Sequence, residues 1–359
     1  MRFGLTLLAF IGLGAVYLSF WPIPIDAKAW QVPQDMGYVG DFEKNNRLSS
    51  LEIISLNGEE GPEDFAVNAQ GQVFFSLLGG KIMRIGEDGS FSEFVNTGGR
   101  PLGLEFAPSG ELIVADAFKG LLSVSPSGDI SLLTDSVLGS KIRYADDVDV
   151  TSTGEIYFSD ASTKFPAESY GTYQASLLDI MEHGGNGRVI HYSPITKESR
   201  IIVSGLQFAN GISVTHDESA ILINETGTYS VLKHWIKGEK AGQTETLISN
   251  LPGFPDNINK GSNQNYWLGL VSPRSKALDL LAPFPFLREA VQRLPKVLRP
   301  KAQHYGHVVS INDRGEILLS LQDPEDTYSY TTGAAESGPW LYLSSLHERR
   351  IARVKYPLK

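Results

Sequence analysis

No cysteine occurs among the 359 residues of the chain. Disulfide staples, thiolate nucleophiles and thiolate metal sites are therefore excluded. A basic surplus is missing as well: 31 Lys and Arg stand against 41 Asp and Glu, a formal net charge of −10. Nothing in that balance meets the phosphates of a nucleic acid, so no nucleic-acid partner is expected. There is also no Gly-x-Ser-x-Gly stretch, which argues against a serine hydrolase built on a strained nucleophile elbow. With 42% hydrophobic and 20% charged residues, what is there is ordinary globular material, enough for a sizeable core.

One uncharged run is long enough to cross a bilayer, which takes roughly 20 residues. It is FGLTLLAFIGLGAVYLSFW, residues 3–21, preceded by Arg2 and followed by Pro22. A cleaved signal peptide usually carries an apolar stretch of only about 7–15 residues. The longer run, and the poor cleavage context of Trp-Pro-Ile-Pro, predict an uncleaved signal anchor over residues 1–24. The positive-inside rule then keeps Arg2 in the cytoplasm and puts the rest on the periplasmic or extracytoplasmic side of a single-pass membrane protein. Residues 25–48 read as a linker.

From residue 49 to 357, short alternating apolar runs are separated by Gly, Asn and Asp turns. Five stretches share one register: EDFAVNAQGQVFF (63–75), LGLEFAPSGELIV (102–114), DDVDVTSTGEIYF (146–158), NGISVTHDESAIL (210–222) and DNINKGSNQNYWL (256–268). A weaker sixth copy ends in WLYLSS (340–345). Copies about 40–45 residues apart, stretched by insertions, predict an all-β, six-bladed β-propeller rather than a generic sandwich. The chain stops one strand short of a full last blade, and SLEIISL (50–56) is a strand without a blade. Pairing the two would close the ring and remove an exposed edge.

The first residue of each copy should open an innermost strand, so equivalent positions encircle the axis at one face. They are Glu63, Leu102, Asp146, Asn210 and Asp256. Three carboxylates cannot crowd there without a cation. All-oxygen donors in a wide, flexible ring favour Ca²⁺ over Mg²⁺. In RYADDVDV (143–150), that register turns Asp146 to the axis, sets Asp147 beside it and leaves Asp149 packed or paired between blades.

Several motifs together resemble the strictosidine synthase-like group: GPED, GRPLGLEF, VADAFKGLL, DDVDV with YFSDASTKF, FANGISV and LPGFPDNI. That group lies within the wider gluconolactonase, diisopropylfluorophosphatase and paraoxonase superfamily, and the likeness is nearest to its membrane-anchored, adipocyte plasma membrane-associated protein-like branch. The resemblance implies a six-bladed propeller with Ca²⁺ in the central tunnel and, in many members, hydrolysis of lactones, aryl esters or organophosphates. Carried over by position, it makes Glu63, Asn210, Asp256 and Asn257 metal residues. Asp146 stands where the family usually has asparagine. The glutamate that the alkaloid-condensing members carry in the last blade has no counterpart in TYSYTTGAAESGPWLYL (327–343), where Thr332 and Gly333 lie near its place and Glu336 is the nearest carboxylate. A condensing synthase is therefore not expected.

The expected function is a calcium-dependent hydrolase of small-molecule lactones or aryl esters. Asp256 or Glu63 at the metal, or a nearby histidine, would act as base. His183, His304 and His307 are the histidines of interest, with His307 foremost. The competing reading is a non-enzymatic, calcium-stabilised propeller that binds a ligand or protein. Two insertions, 160–187 and 272–306, fall in loops that should overhang the metal face. In the second, Leu280, Leu281, Phe284, Leu287, Val291, Leu294 and Leu298 recur at near-helical spacing beside Arg288, Arg293, Lys296, Arg299 and Lys301. This predicts an amphipathic helical cap that lines a hydrophobic substrate site, rests on anionic lipid or simply packs on the propeller rim.

Overall fold

Alternating apolar strands cut by Gly and Asn turns pair with their sequence neighbours, and each group of four makes a blade. A computed structural model describes residues 12–86 and 89–357. It contains six four-stranded antiparallel sheets. The innermost strands are Phe65–Val67, Pro101–Phe106, Ala145–Val150, Ala209–Val214, Gly253–Lys260 and Thr331–Ser337. Ring closure follows the expected route. Glu52–Ser55 pairs antiparallel with Arg350–Lys355 and becomes the outermost strand of the sixth blade.

A shared irregularity opens the inner strands. In blades two to six the ladder to the second strand slips at the first two residues of each copy: Leu102 and Gly103, Asp146 and Asp147, Asn210 and Gly211, Asp256 and Asn257, Thr332 and Gly333. A bulge there re-aims two consecutive side chains, which a regular strand would send to opposite faces. Thr332 thus fills the sixth axial position.

The second residue of each pair alternates around the ring as Asp64, Gly103, Asp147, Gly211, Asn257 and Gly333. The glycines answer close approach between blades. A Cβ on Gly103 would lie 2.4 Å from Asp147 Oδ1 and 2.6 Å from Asp147 Cα, and one on Gly211 would lie 2.4 Å from the Asp256 carbonyl oxygen. The aspartates staple each blade to the next. Asp64 accepts from Leu104 N at 2.9 Å and Asp147 from Ile212 N at 2.8 Å. Two residues further along, Asp149 accepts from Val214 N and pairs with Lys260 across the channel at 2.8 Å.

Both long insertions join the second and third strands of their blades, and both contain helices. Blade three carries Ala167–Tyr170 and Thr172–Glu182. Phe165, Ala167, Ala175, Leu178 and Met181 from this insertion bury themselves against Leu102, Tyr144 and Phe208 at the tops of blades two to four. Blade five carries Lys276–Leu281 and Pro285–Arg293, followed by a 3₁₀ turn at Lys296–Leu298. The single run expected over 280–298 is broken because Pro283, Pro285 and Pro295 lack the N–H that continues a helix.

The orientation of the second helix also differs from a simple amphipathic pattern. Arg288 and Arg293, expected on a basic edge, are buried. Each caps the carbonyl end of another helix, where backbone oxygens lack partners and a cation is favoured. Arg288 donates to the Ile180 and Met181 carbonyls at the end of Thr172–Glu182. Arg293 donates to the Leu18 and Trp21 carbonyls.

Residues 12–20 are helical. Residues 1–11 of the expected anchor lie outside the described residues. Among the described residues no helix is long and apolar enough to cross a membrane. Residues 25–48, expected as a linker, are laid along the protein. Lys28 N bonds the Glu182 carbonyl, Trp30 N the Ala282 carbonyl, and Gln322 Nε2 the Phe42 carbonyl.

Candidate metal centre

The starts of the inner strands bring Glu63, Leu102, Asp146, Asn210, Asp256 and Thr332 to one end of the channel, all of them buried. A buried oxygen without a partner is costly and rare in a folded protein. Here Glu63 Oε2, Asp146 Oδ2, Asn210 Oδ1 and Asn257 Oδ1 are all buried and unpartnered. Several neighbouring polar atoms are well held. Asn257 Nδ2 donates at 3.0 Å to both the Glu63 carbonyl and Glu63 Oε1, and Thr332 Oγ1 donates to the same carbonyl at 2.6 Å. Thr226 Oγ1 donates to the Pro255 carbonyl at 2.7 Å, fixing the strand that presents Asp256.

Mutual repulsion marks the carboxyls. Burial raises Glu63 well above the usual carboxylate range, and Asp256, Asp146 and Asp64 push it further. Asp146 is raised by burial and then by Asp256, with Arg100 opposing. Burial pushes Asp256 up to about 7, against a hydrogen bond from Asn210. These are the donors a hard cation takes: carboxylate and carboxamide oxygens with free lone pairs, in a place where positive charge is lacking. Among the described residues no three His, Asp or Glu side chains converge tightly enough to grip a metal unaided. The donor set therefore depends on the carboxamides of Asn210 and Asn257.

Arg100 was not singled out from the sequence. It is 1% exposed, and its Nε and Nη2 have no partner. Burial pulls the guanidinium down, while Glu63, Tyr144 and Asp146 hold it up. It lies two residues before Leu102, the apolar member of the ring, so blade two contributes its polar group from outside the repeated frame.

The structure does not bring the three histidines of interest to this centre. His307 sits on the third strand of blade five, with Nε2 3.0 Å from Ser320 Oγ and Tyr38, Tyr305 and Phe42 around the ring. A third strand is two strands away from the axis, and burial lowers the imidazole to about 3. His183 stacks on Trp30 at 4.2 Å, and His304 faces Asp326 on the surface. Glu336 is at the far end of the last inner strand, accepting from Trp267 Nε1 and Ser262.

An apolar cavity stands over one side of the ring. Asn210, Asp256 and Thr226 form its polar floor, with Phe208, Phe254, Val271 and Leu278 among its walls. Leu177 and Ile180 of the blade-three insertion and Pro300 to Ala302 of the blade-five insertion cover it. Apolar walls with a few convergent polar groups are the usual form of a small-molecule site.

Comparison with known proteins bears on this geometry. Residues 146–239 match the family model for strictosidine synthase, and residues 40–85 match that for the N-terminal part of strictosidine synthase-like proteins. The adipocyte plasma membrane-associated protein of Rattus norvegicus is 30% identical over 95% of this chain and 95% of its own. Strictosidine synthase-like protein 6 of Arabidopsis thaliana is 33% identical over 86% of this chain and 84% of its own. Among solved structures, a gluconolactonase from Xanthomonas campestris superposes with a TM-score of 0.63 at 13% identity, covering 93% of this chain and 97% of that one. The calcium-binding protein regucalcin from Agrobacterium tumefaciens gives 0.58 at 12% identity, covering 85% and 93%. At such identities the structures establish the propeller alone. The sequence relatives go further, and on their length and identity the chain belongs to the strictosidine synthase-like family.

Proposed function

We propose that this protein is a membrane-anchored, calcium-dependent hydrolase of lactones or aryl esters, with its propeller on the extracytoplasmic side. The observation that carries the reading is the set of four unpartnered buried oxygens on Glu63, Asp146, Asn210 and Asn257, in a centre whose Asn210 and Asp256 also line an apolar cavity. With Asp256, those residues would hold the ion. The chemistry it supplies when bound is polarisation of a carbonyl and stabilisation of the developing oxyanion.

The chain's own groups do the rest. Phe208, Phe254, Val271 and Leu278 exclude water and bind the apolar part of an ester or lactone. Asp256 is the carboxylate that lines the cavity, so it is assigned to take the proton of the attacking water at Oδ. Asn210 orients that carboxylate by hydrogen bond. Glu63, whose Oε1 is already engaged by Asn257, sets the charge of the centre rather than moving protons. Supporting the anchor are the apolar run of residues 3–21 and the printed name of the rat relative, a plasma membrane-associated protein.

A binding-module reading has one specific observation in its favour. None of the three histidines expected to serve as base stands at the ring, and His347, edge-on to the cavity-lining Tyr173 at 5.0 Å, has its imidazole lowered by burial, so the carboxylates are left as the chief candidates for a base. A panel of lactones and aryl esters separates the two readings. Turnover that disappears with EDTA, returns with Ca²⁺ and is lost in Asp256→Ala is the expected result. Melting on chelation without turnover on any substrate would favour the binding module.

A further inference from the structure

Large apolar side chains on this molecule are exposed in a very uneven way. Among the described residues, eleven of the twenty exposed large hydrophobics fall within residues 13–21 and 280–298. The extremes in the blade-five insertion are Val297 at 86%, Leu280 at 75% and Leu298 at 63%, with Phe284, Phe286 and Leu287 between 45% and 58%. The cause is the inverted packing of Pro285–Arg293. Arg288 and Arg293 turn inward to cap two other helices, so Phe286 and Leu287 are turned outward.

These two exposed segments are one surface. Arg293 Nε donates to the Trp21 carbonyl at 2.7 Å and Nη1 to the Leu18 carbonyl at 3.3 Å, while Tyr17 donates its hydroxyl to the Arg293 carbonyl at 3.0 Å. The end of the long apolar N-terminal run is thereby tied to the insertion that carries the exposed phenylalanines. Lys276, Lys296 and Lys301 are exposed along the same insertion. A contiguous apolar surface with cations at its border is costly in water and suits the headgroup boundary of an anionic bilayer.

We infer that the blade-five insertion, residues 276–301, is a lipid-docking face, seated through Leu280, Phe284, Phe286, Leu287, Val297 and Leu298 in the interface of a bilayer that carries anionic lipid. This rests on the proposed membrane anchor and specifies how the propeller sits on the membrane. It also places the cavity mouth. A groove between the insertions, lined by Leu177, Ile180, Leu278, Lys296, Arg299 and Lys301, shares residues with the cavity above Asp256 and runs out beside Val297 and Leu298. Amphiphilic substrates would then reach the site from the lipid side.

The absence of cysteine makes a direct test clean. In the full chain, Phe286→Cys, Val297→Cys and a control, Ser127→Cys, each receive one polarity-sensitive fluorophore. Vesicles of phosphatidylcholine, with or without phosphatidylserine and with nitroxide-labelled lipid, are then added. Position 127 lies in an exposed turn of blade two. The expected result is a blue shift and at least twofold quenching at 286 and 297 but not at 127, stronger with phosphatidylserine. Co-flotation with labels at 286 and 297 still in water would overturn the inference and leave the anchor intact. Failure to float with either vesicle would overturn both. A blue shift that depends on protein concentration and not on lipid would mean that a second copy covers this face, and would also overturn it.

Discussion

Two neighbouring rings of the same channel treat the same residue types in opposite ways. At the second position of each copy, Asp64 and Asp147 use both carboxylate oxygens: each takes one N–H of the next blade, the others take Asn259 Nδ2 and Val148 N, and Gly103 of the preceding blade makes room for Asp147. Asn257, the third side chain of that ring, leaves its Oδ1 open toward the first. At the first position, one residue earlier, Glu63 and Asp146 are as deeply buried but keep oxygens with no partner. Burial therefore does not separate structure from function here. What separates them is whether the lone pairs are used. The stapling ring holds the blades together, and the open ring carries a cost that something outside the chain must offset.

The largest expected effect falls on the stapling ring. Asp147→Ala would leave the buried N–H groups of Ile212 and Val148 without acceptors. At about 1–3 kcal/mol for each stranded donor, the loss should be roughly 2–6 kcal/mol, read as a lower urea midpoint at constant slope. Gly103→Ala forces a methyl against Asp147 and should cost about 2–3 kcal/mol by overpacking. Both losses should be independent of Ca²⁺. A Ca²⁺-rescued Asp147→Ala would erase the distinction between the rings.

An intermediate effect, opposite in kind, is expected in the open ring. In chelator, Glu63→Gln removes one of three mutually repelling carboxylates and should leave stability unchanged or raise it by up to about 1 kcal/mol. Ca²⁺ at a hundred times its Kd should add about 2.7 kcal/mol to the unsubstituted protein, and most of that gain should vanish in the variant. Thermal melts with and without EDTA give both numbers. A Glu63→Gln protein that is destabilised in chelator would move Glu63 into the stapling ring.

The contrast between the rings also explains what could be read from the sequence. Each copy carries its bulge pair at its head and a Gly, Asn or Asp turn behind it, so Glu63, Asp146, Asn210 and Asp256 could be aligned without coordinates. The closing strand at Glu52–Ser55 was legible because one blade was a strand short. The blade-five insertion was not. Its leucine spacing suggested a continuous amphipathic helix, but the inward turn of Arg288 and Arg293 depends on the ends of helices that are distant in sequence. His307 misled for a related reason. Nothing in the sequence around it disclosed that it sits on the third strand of blade five, two strands from the axis. Arg100 was missed because it lies just outside the repeated frame.

That arginine bears on the smallest question, why blade three offers aspartate where the resemblance led to an expectation of asparagine. Three acidic residues, Glu63, Asp146 and Asp256, share the ring with one buried guanidinium whose Nε and Nη2 are free. Against that single positive charge, the third carboxylate brings the centre to the net charge a divalent ion neutralises. Asp146→Asn should then weaken Ca²⁺ binding on the order of tenfold, and Arg100→Gln should strengthen it by about threefold to tenfold, from the Coulomb interaction of charges a few ångströms apart in a partly polar site. The double variant, with both charges gone, should return to within a few-fold of the original affinity. Titration calorimetry on the four proteins reads the cycle directly. If Arg100→Gln leaves the affinity unchanged, the guanidinium is not part of the charge balance, and Asp146 must be explained by its own ligand geometry.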